Sequence, residues 1–217
     1  EPILGEGGYV PAPARFLQEL RSVCDEHGIL LIADEIQSGF GRAGDWLAHT
    51  QSGIVPDIIT MAKGIASGMP MSVIAASKEL MSKWKKGSHG GTYGGGNAVV
   101  MAAAIATINT IKEEKLIENS REMGAYLVEK LQELQKKYPI IGNIRGRGLM
   151  IGTEFKKDGE PLPEAVSKIV DYCKKQRLLL LPCGTFGNVI RWIPPLIVTK
   201  EQIDEAIGIF AQAIDNV

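Results

Sequence analysis

A chain of 217 residues with 24 basic and 25 acidic side chains, formally −1 and well mixed along its length, can bury one sizeable core or two small ones. The charge balance gives no sign of nucleic-acid binding. There is no polybasic or amphipathic anchor, and no apolar run approaches the ~18 residues that span a bilayer. Cys24, Cys173 and Cys183 are odd in number and widely spaced, so they read as buried free thiols of a reducing compartment rather than as disulfides.

The opening Glu1-Pro-Ile-Leu-Gly-Glu6 has neither an initiator methionine nor a leader. It reads as the interior of a fold, and the expectation is a piece of a longer protein. Pro11 and Pro13 open a helix whose apolar residues Phe16, Leu17, Leu20, Val23 and Cys24 follow helical spacing and which stops at His27-Gly28. Ile29 to Ala33 is apolar at every position, the pattern of a strand covered on both faces. Gly39 to Gly44 is a turn-rich loop, and Asp57–Met61 and Val73–Ala76 are further short strands. Strand alternating with helix and loop argues a mainly parallel sheet of the α/β class.

A glycine-rich stretch from Gly87 to Asn97 leads into an alanine-rich helix from Ala98 to about Lys112. The next helix carries Leu116, Met123, Leu127, Leu131 and Leu134 on one face. The character changes here, which divides the chain into residues 1–110 and 111–217. The second part reads as an α+β unit with strands Leu149–Phe155, Leu178–Leu181 and Val189–Ile193 and helices Glu164–Arg177 and Lys200–Asn216.

Two chemical residues stand at strand exits. Asp34 follows Ile29–Ala33, and Lys63 follows the strand in Pro56-Asp-Ile-Ile-Thr-Met-Ala-Lys-Gly64, among small residues. Open α/β sheets bind ligands at the carboxyl ends of their strands. A lysine after a strand is ordinarily a solvated surface residue, and an Asp-Glu pair is ordinarily a cap or a turn. Together, on successive strands, they suit a cofactor that needs an amine partner at one end and an anion at the other; pyridoxal phosphate has an aldehyde for Lys63 and a ring nitrogen for Asp34. Arg191, in Val189-Ile-Arg-Trp-Ile193, shares a strand face with two aliphatic residues. It is either turned inward or on a half-buried edge, and an inward arginine requires an anion, which its fork binds bidentately. Arg42, Arg145 and Arg147 lie in glycine turns and read as structural. His27, His49 and His89 share no metal spacing and read as loop or capping residues.

Several segments resemble, in collinear order, the class III aminotransferases, which are fold-type I pyridoxal phosphate enzymes. They are Leu31-Ile-Ala-Asp-Glu-Ile-Gln-Ser-Gly-Phe-Gly-Arg-Ala-Gly44, Pro56 to Gly64, Gly91-Thr-Tyr-Gly94, Arg145-Gly-Arg-Gly-Leu-Met-Ile-Gly152 and Asn188 to Leu196. Cys24-Asp-Glu-His-Gly28 and Gly90-Gly-Thr-Tyr93 are most similar to the 4-aminobutyrate branch. The resemblance implies the later part of the mainly parallel large-domain sheet followed by a C-terminal small domain. It implies Lys63 as the Schiff-base lysine and proton carrier, Asp34 as partner of the pyridine nitrogen, Ile36 beneath the ring and Gln37 on its phenolic oxygen. Thr92 would reach the cofactor phosphate of a neighbouring subunit, which implies a homodimer with its sites at the interface. Gly94-Gly-Gly-Asn-Ala98 departs from the family there, with one more glycine and no Asn-Pro.

The resemblance also makes Arg191 the clamp for the substrate α-carboxylate and Glu6 its partner when an ω-amino acid occupies the site. The implied reaction is transamination from an ω-amino acid, best 4-aminobutyrate, to 2-oxoglutarate, in the cytoplasm or the mitochondrial matrix. The alternatives are a racemase or decarboxylating transaminase on the same scaffold, or an inactive truncated piece.

Overall fold

The structure is a computed structural model that describes residues 1–85, 87 and 96–217. Strands β1 (Ile3–Leu4) and β2 (Val10–Pro11) come first, then helix α1 (Ala14–His27), β3 (Ile32–Asp34), β4 (Ile58–Met61), β5 (Val73–Ala76) and α2 (Lys78–Ser82). Helices α3 (Ala98–Glu113) and α4 (Leu116–Lys137) follow, then β6 (Ile141–Arg147), β7 (Met150–Lys157), β8 (Glu160–Pro161), α5 (Pro163–Lys175), β9 (Leu181–Cys183), β10 (Val189–Trp192) and α6 (Lys200–Asp215). Two compact units emerge, residues 1–2 with 12–117 and residues 3–11 with 118–217. The division read from the sequence, at 110/111, differs from these units in two ways. The break falls after Ile117, and the N-terminal stretch 3–11 folds with the second unit through long-range packing that no local pattern announces.

In the first unit β3 pairs parallel with β4, and β4 pairs antiparallel with β5. The second pairing departs from a mainly parallel sheet. A parallel crossover takes a dozen or more residues, usually a helix, whereas the link from β4 to β5 holds only a 3₁₀ turn at Lys63–Ala66. The β3 run also differs from a strand covered on both faces. Ile29, Leu30 and Ile32 are each more than half exposed. Helix α1 buries Leu17 and Cys24 and ends on Gly28 in the left-handed conformation, where a side chain would be strained. Arg21 ties this helix to the segment before β4 through Asp57, at 2.7 Å, and Asp57 Oδ2 also accepts from the Leu31 N–H.

The second unit has the antiparallel strand order β6-β7-β10-β9, with β8 paired to the far end of β7. One face of this sheet makes the core. Ile151, Phe155, Ile190 and Trp192 pack with Leu127 and Leu131 of α4, Val166 and Ile169 of α5, and Phe210 of α6. Trp192 stands edge-on to Phe210 with centroids 4.8 Å apart, and its Nε1–H donates to Thr153 Oγ1 at 3.0 Å, so the buried indole leaves no polar atom unpaired. Thr199 and Gln202 close a reciprocal capping box on α6. Strand β6 was not foreseen. Its Gly142, Gly146 and flanking charges hide the alternation, and Arg145 lies within this strand rather than in a turn. The thiols of Cys24, Cys173 and Cys183 are free and buried, and burial pushes the Cys173 thiol up to about 11.

Candidate active site

The parallel pairing of β3 and β4 delivers Asp34 and Lys63 to one edge of the first unit's sheet. Asp34 is opposite Thr60, and the Glu35 N–H donates to the Thr60 carbonyl at 2.9 Å. Lys63 follows three residues later. It begins a 3₁₀ turn whose Ile65 and Ala66 are buried against Val100 and Ala104 of α3, which leaves Lys63 and Gly64 exposed. Lys63 has φ of 47°, a left-handed conformation that costs a non-glycine residue about 1–3 kcal/mol and persists where the surroundings over-determine it. The packing of Ile65 and Ala66 supplies that constraint.

Asp34 is half-buried, and its Oδ1 accepts from the Ile36 N–H at 3.0 Å, which fixes the carboxylate at the strand end. Ile36 and Gln37 are half-buried just beyond it. The Oε1 atom of Gln37 is buried and, among the described residues, has no hydrogen-bond partner. A desolvated, unpaired amide is costly in a finished protein, and a polar ligand group would satisfy it. Thr92 lies outside the described residues.

Behind these residues stands a buried cluster that the sequence reading missed. Glu35 and Ser38 are fully buried and His49 nearly so. The Glu35 carboxylate accepts from the Ser38 hydroxyl and from the His49 N–H at 2.8 Å, and His49 Nδ1 lies 2.9 Å from the same Oε1. Burial works to raise the Glu35 pKa. The bonds from His49 and Ser38 outweigh it and hold the carboxyl below the ordinary glutamate value. His49 is therefore a buried partner rather than a loop residue. Only the i, i+3 spacing of Glu35 and Ser38 was a local signal; no spacing rule links Glu35 to His49.

In the second unit Arg191 lies on the face of β10 opposite Ile190 and Trp192, so it points away from the helical core. The hairpin β1–β2 carries Glu6 in its tip, and Arg191 Nη1 donates to Glu6 Oε1 at 2.5 Å. The arginine side chain is only 14% exposed and the glutamate side chain 76%. Burial opposes the guanidinium charge, and the bond from Glu6 more than offsets it, so Arg191 is held above the ordinary arginine value. Its Nε is buried and unpartnered among the described residues.

An open α/β sheet that delivers a lysine and an aspartate to its carboxyl edge, joined in sequence to an α+β unit bearing an arginine–glutamate pair, is the class of the fold-type I transferases. The chain belongs to the class III aminotransferase family, which it matches over residues 1–214, and that family is pyridoxal phosphate-dependent. It is 43% identical over its whole length to the 5-aminovalerate aminotransferase DavT of Pseudomonas putida, covering 51% of that protein. It is 47% identical to the acetylornithine aminotransferase of Methanosarcina mazei, with 98% of this chain and 50% of that protein aligned. The 4-aminobutyrate aminotransferase GabT of Escherichia coli is 39% identical over all of this chain and 51% of its own length. A Bacillus anthracis aminotransferase superposes with a TM-score of 0.93 at 34% identity, over 100% of this chain and 51% of that structure. The chain thus spans about half the length of the curated relatives it matches.

Proposed function

We propose that the protein transfers the amino group of an ω-amino acid of four or five carbons, 4-aminobutyrate first, to 2-oxoglutarate. The observation that carries this reading is the Glu6–Arg191 pair, a half-buried arginine neutralised by an exposed glutamate while its buried Nε has no partner among the described residues. An ω-amino acid brings no α-carboxylate to Arg191, and Glu6 then neutralises it. Glutamate and 2-oxoglutarate do bring one, and Glu6, exposed and held by a single partner, can swing away while the guanidinium takes the new carboxylate bidentately. The DavT and GabT relatives agree with such a donor.

Bound pyridoxal phosphate supplies an aldehyde that takes up amines and a ring that accepts the electron pair left at Cα. The described residues fit it through the carboxylate of Asp34, fixed at the strand end. Asp34 would keep the ring nitrogen protonated, Ile36 would pack beneath the ring, and Gln37 would offer its amide NH₂ to the phenolic oxygen. Lys63 Nζ would hold the aldehyde, and in the reaction it would move the proton released at Cα. Thr92 would act on the phosphate of the second copy in a homodimer.

The test uses the full-length enzyme with 4-aminobutyrate or 5-aminovalerate and 2-oxoglutarate. One 2-oxoglutarate consumed and one glutamate formed per donor lost is the expected result. Inversion of an α-amino acid with no 2-oxo acid consumed would overturn it in favour of a racemase.

A further inference from the structure

Arg145 and Arg191 stand on either side of one glycine. In the sheet of the second unit Gly152 of β7 is the cross-strand partner of Arg145 on β6 and of Arg191 on β10, so all three residues share a face. The tip of the β1–β2 hairpin lies directly on that glycine. A Cβ at Gly152 would come within 3.1 Å of the Gly8 carbonyl oxygen and 3.2 Å of the Tyr9 Cβ, so the missing side chain is the space the hairpin occupies. The tip backbone is fastened at Glu6 itself and again two residues beyond it. The Gly184 N–H donates to the Glu6 carbonyl at 2.9 Å, and Arg145 Nε donates to the Gly8 carbonyl at 2.9 Å.

Arg145 is itself held by Glu154, at 3.1 Å from Nη1, and by Asn143 Oδ1 at 3.3 Å. Gly8 at φ 107° and the buried Tyr9 at φ 55° make a turn in left-handed backbone, an arrangement that needs outside restraint. The outcome is a clamped backbone with a free side chain. The Glu6 carboxylate is three-quarters exposed, yet its Cα is pinned within reach of Arg191.

We propose that Arg145 is a positioning residue for substrate selection, holding the Gly8 carbonyl so that the hairpin tip presents Glu6 to Arg191. The proposal rests on the reading that the Glu6–Arg191 pair sorts ω-amino acids from α-amino acids. Arg145 touches neither partner of the pair through a hydrogen bond; it acts through the backbone between Glu6 and Tyr9.

The experiment measures single-turnover rates of the holoenzyme for the 4-aminobutyrate and glutamate half-reactions and takes their ratio. Glu6→Ala should shift the ratio against 4-aminobutyrate, and Arg145→Met should shift it the same way by about tenfold, the scale of one charge-assisted hydrogen bond. Arg145→Lys, which can still donate to Gly8, should recover part of the shift. In the Glu6→Ala background, Arg145→Met should add nothing to the ratio, because it acts only through Glu6.

A Glu6→Ala shift with no Arg145→Met shift, or an Arg145→Met shift that persists in full without Glu6, overturns the positioning role and leaves the substrate-selection reading standing. An unchanged ratio in Glu6→Ala removes that reading and the role with it. Should Arg145→Met fail to fold, Glu154→Gln loosens Arg145 more gently and must move the ratio in the same direction; an unmoved ratio there also overturns the proposal.

Discussion

Glu35 at the end of β3 and Glu6 in the β1–β2 hairpin both face a nitrogen base, but they are held in opposite ways. Glu35 has no exposed surface and accepts from Ser38, from the His49 backbone and from the His49 ring, so it has no alternative arrangement. Glu6 has one side-chain partner and an exposed side chain, although its backbone is tied at its own carbonyl and at that of Gly8. A buried anion with every lone-pair direction used serves as a fixed post, and removing its partners costs the whole desolvation. An exposed one can exchange partners at small cost. The first region keeps Asp34, Ile36 and Gln37 at the exit of β3; in the second, the proposed function has a substrate carboxylate compete with Glu6 for Arg191.

The contrast can be broken or sharpened by substitution. The largest effect belongs to the first region. Lys63→Ala should slow both half-reactions alike by about 10⁴-fold, the scale of a positioned proton-transfer group. Borohydride reduction and peptide mapping of the unaltered enzyme should place the pyridoxyl label on Lys63. Label on another lysine would remove that residue from the chemistry and the β4 exit from the site.

Asp34→Asn should follow, with a loss of about 10²–10³ in both half-reactions and cofactor still bound, as for other preorganised electrostatic contacts. Near-normal turnover by the cofactor-loaded variant would show that the β3 exit supplies no charge to the ring.

Glu35→Gln tests the fixed post itself, and its readout is stability. Loss of charge-assisted bonds in a dry cluster should cost about 1–3 kcal/mol in urea unfolding. The folded pKa lies below the unfolded one, so the stability that Glu35 contributes is present above the ordinary glutamate range, ~4.3, and is lost as pH falls through the folded value. The variant should therefore lose less stability than the parent on acidification through that range. Superimposable acid profiles would mean that Glu35 is not the buried anion.

The smallest effects belong to the movable carboxylate, and they must be selective. Glu6→Ala should slow the 4-aminobutyrate half-reaction by about tenfold more than the glutamate half-reaction, because only the former leaves a desolvated guanidinium unpaired. Arg191→Ala should do the reverse, raising KM for 2-oxoglutarate most. Equal slowing of both halves in both variants would make the pair a second fixed post and erase the contrast.

Local pattern carried much of the architecture. Val73–Ala76 and the helices beginning at Ala98 and Lys200 follow directly from periodicity, glycine stops and capping residues, which act over a few neighbours. The exits that carry Asp34 and Lys63 were legible for the same reason, since each follows a short apolar run in its own segment. Their assigned roles, and the roles of Glu6 and Arg191, came from resemblance rather than from spacing.

Tertiary structure decided the rest. That residues 3–11 belong with the second unit, that Gly152 leaves room for their backbone, and that Arg145 reaches Gly8 across 137 positions are products of sheet register. The exposure of Ile29, Leu30 and Ile32 depends on what covers β3, and the Glu35–His49 contact on how a loop returns to a strand end. Periodicity encodes which face of an element is apolar. It does not encode which distant backbone meets that face, because that choice is settled by summed packing and hydrogen bonding over the whole fold.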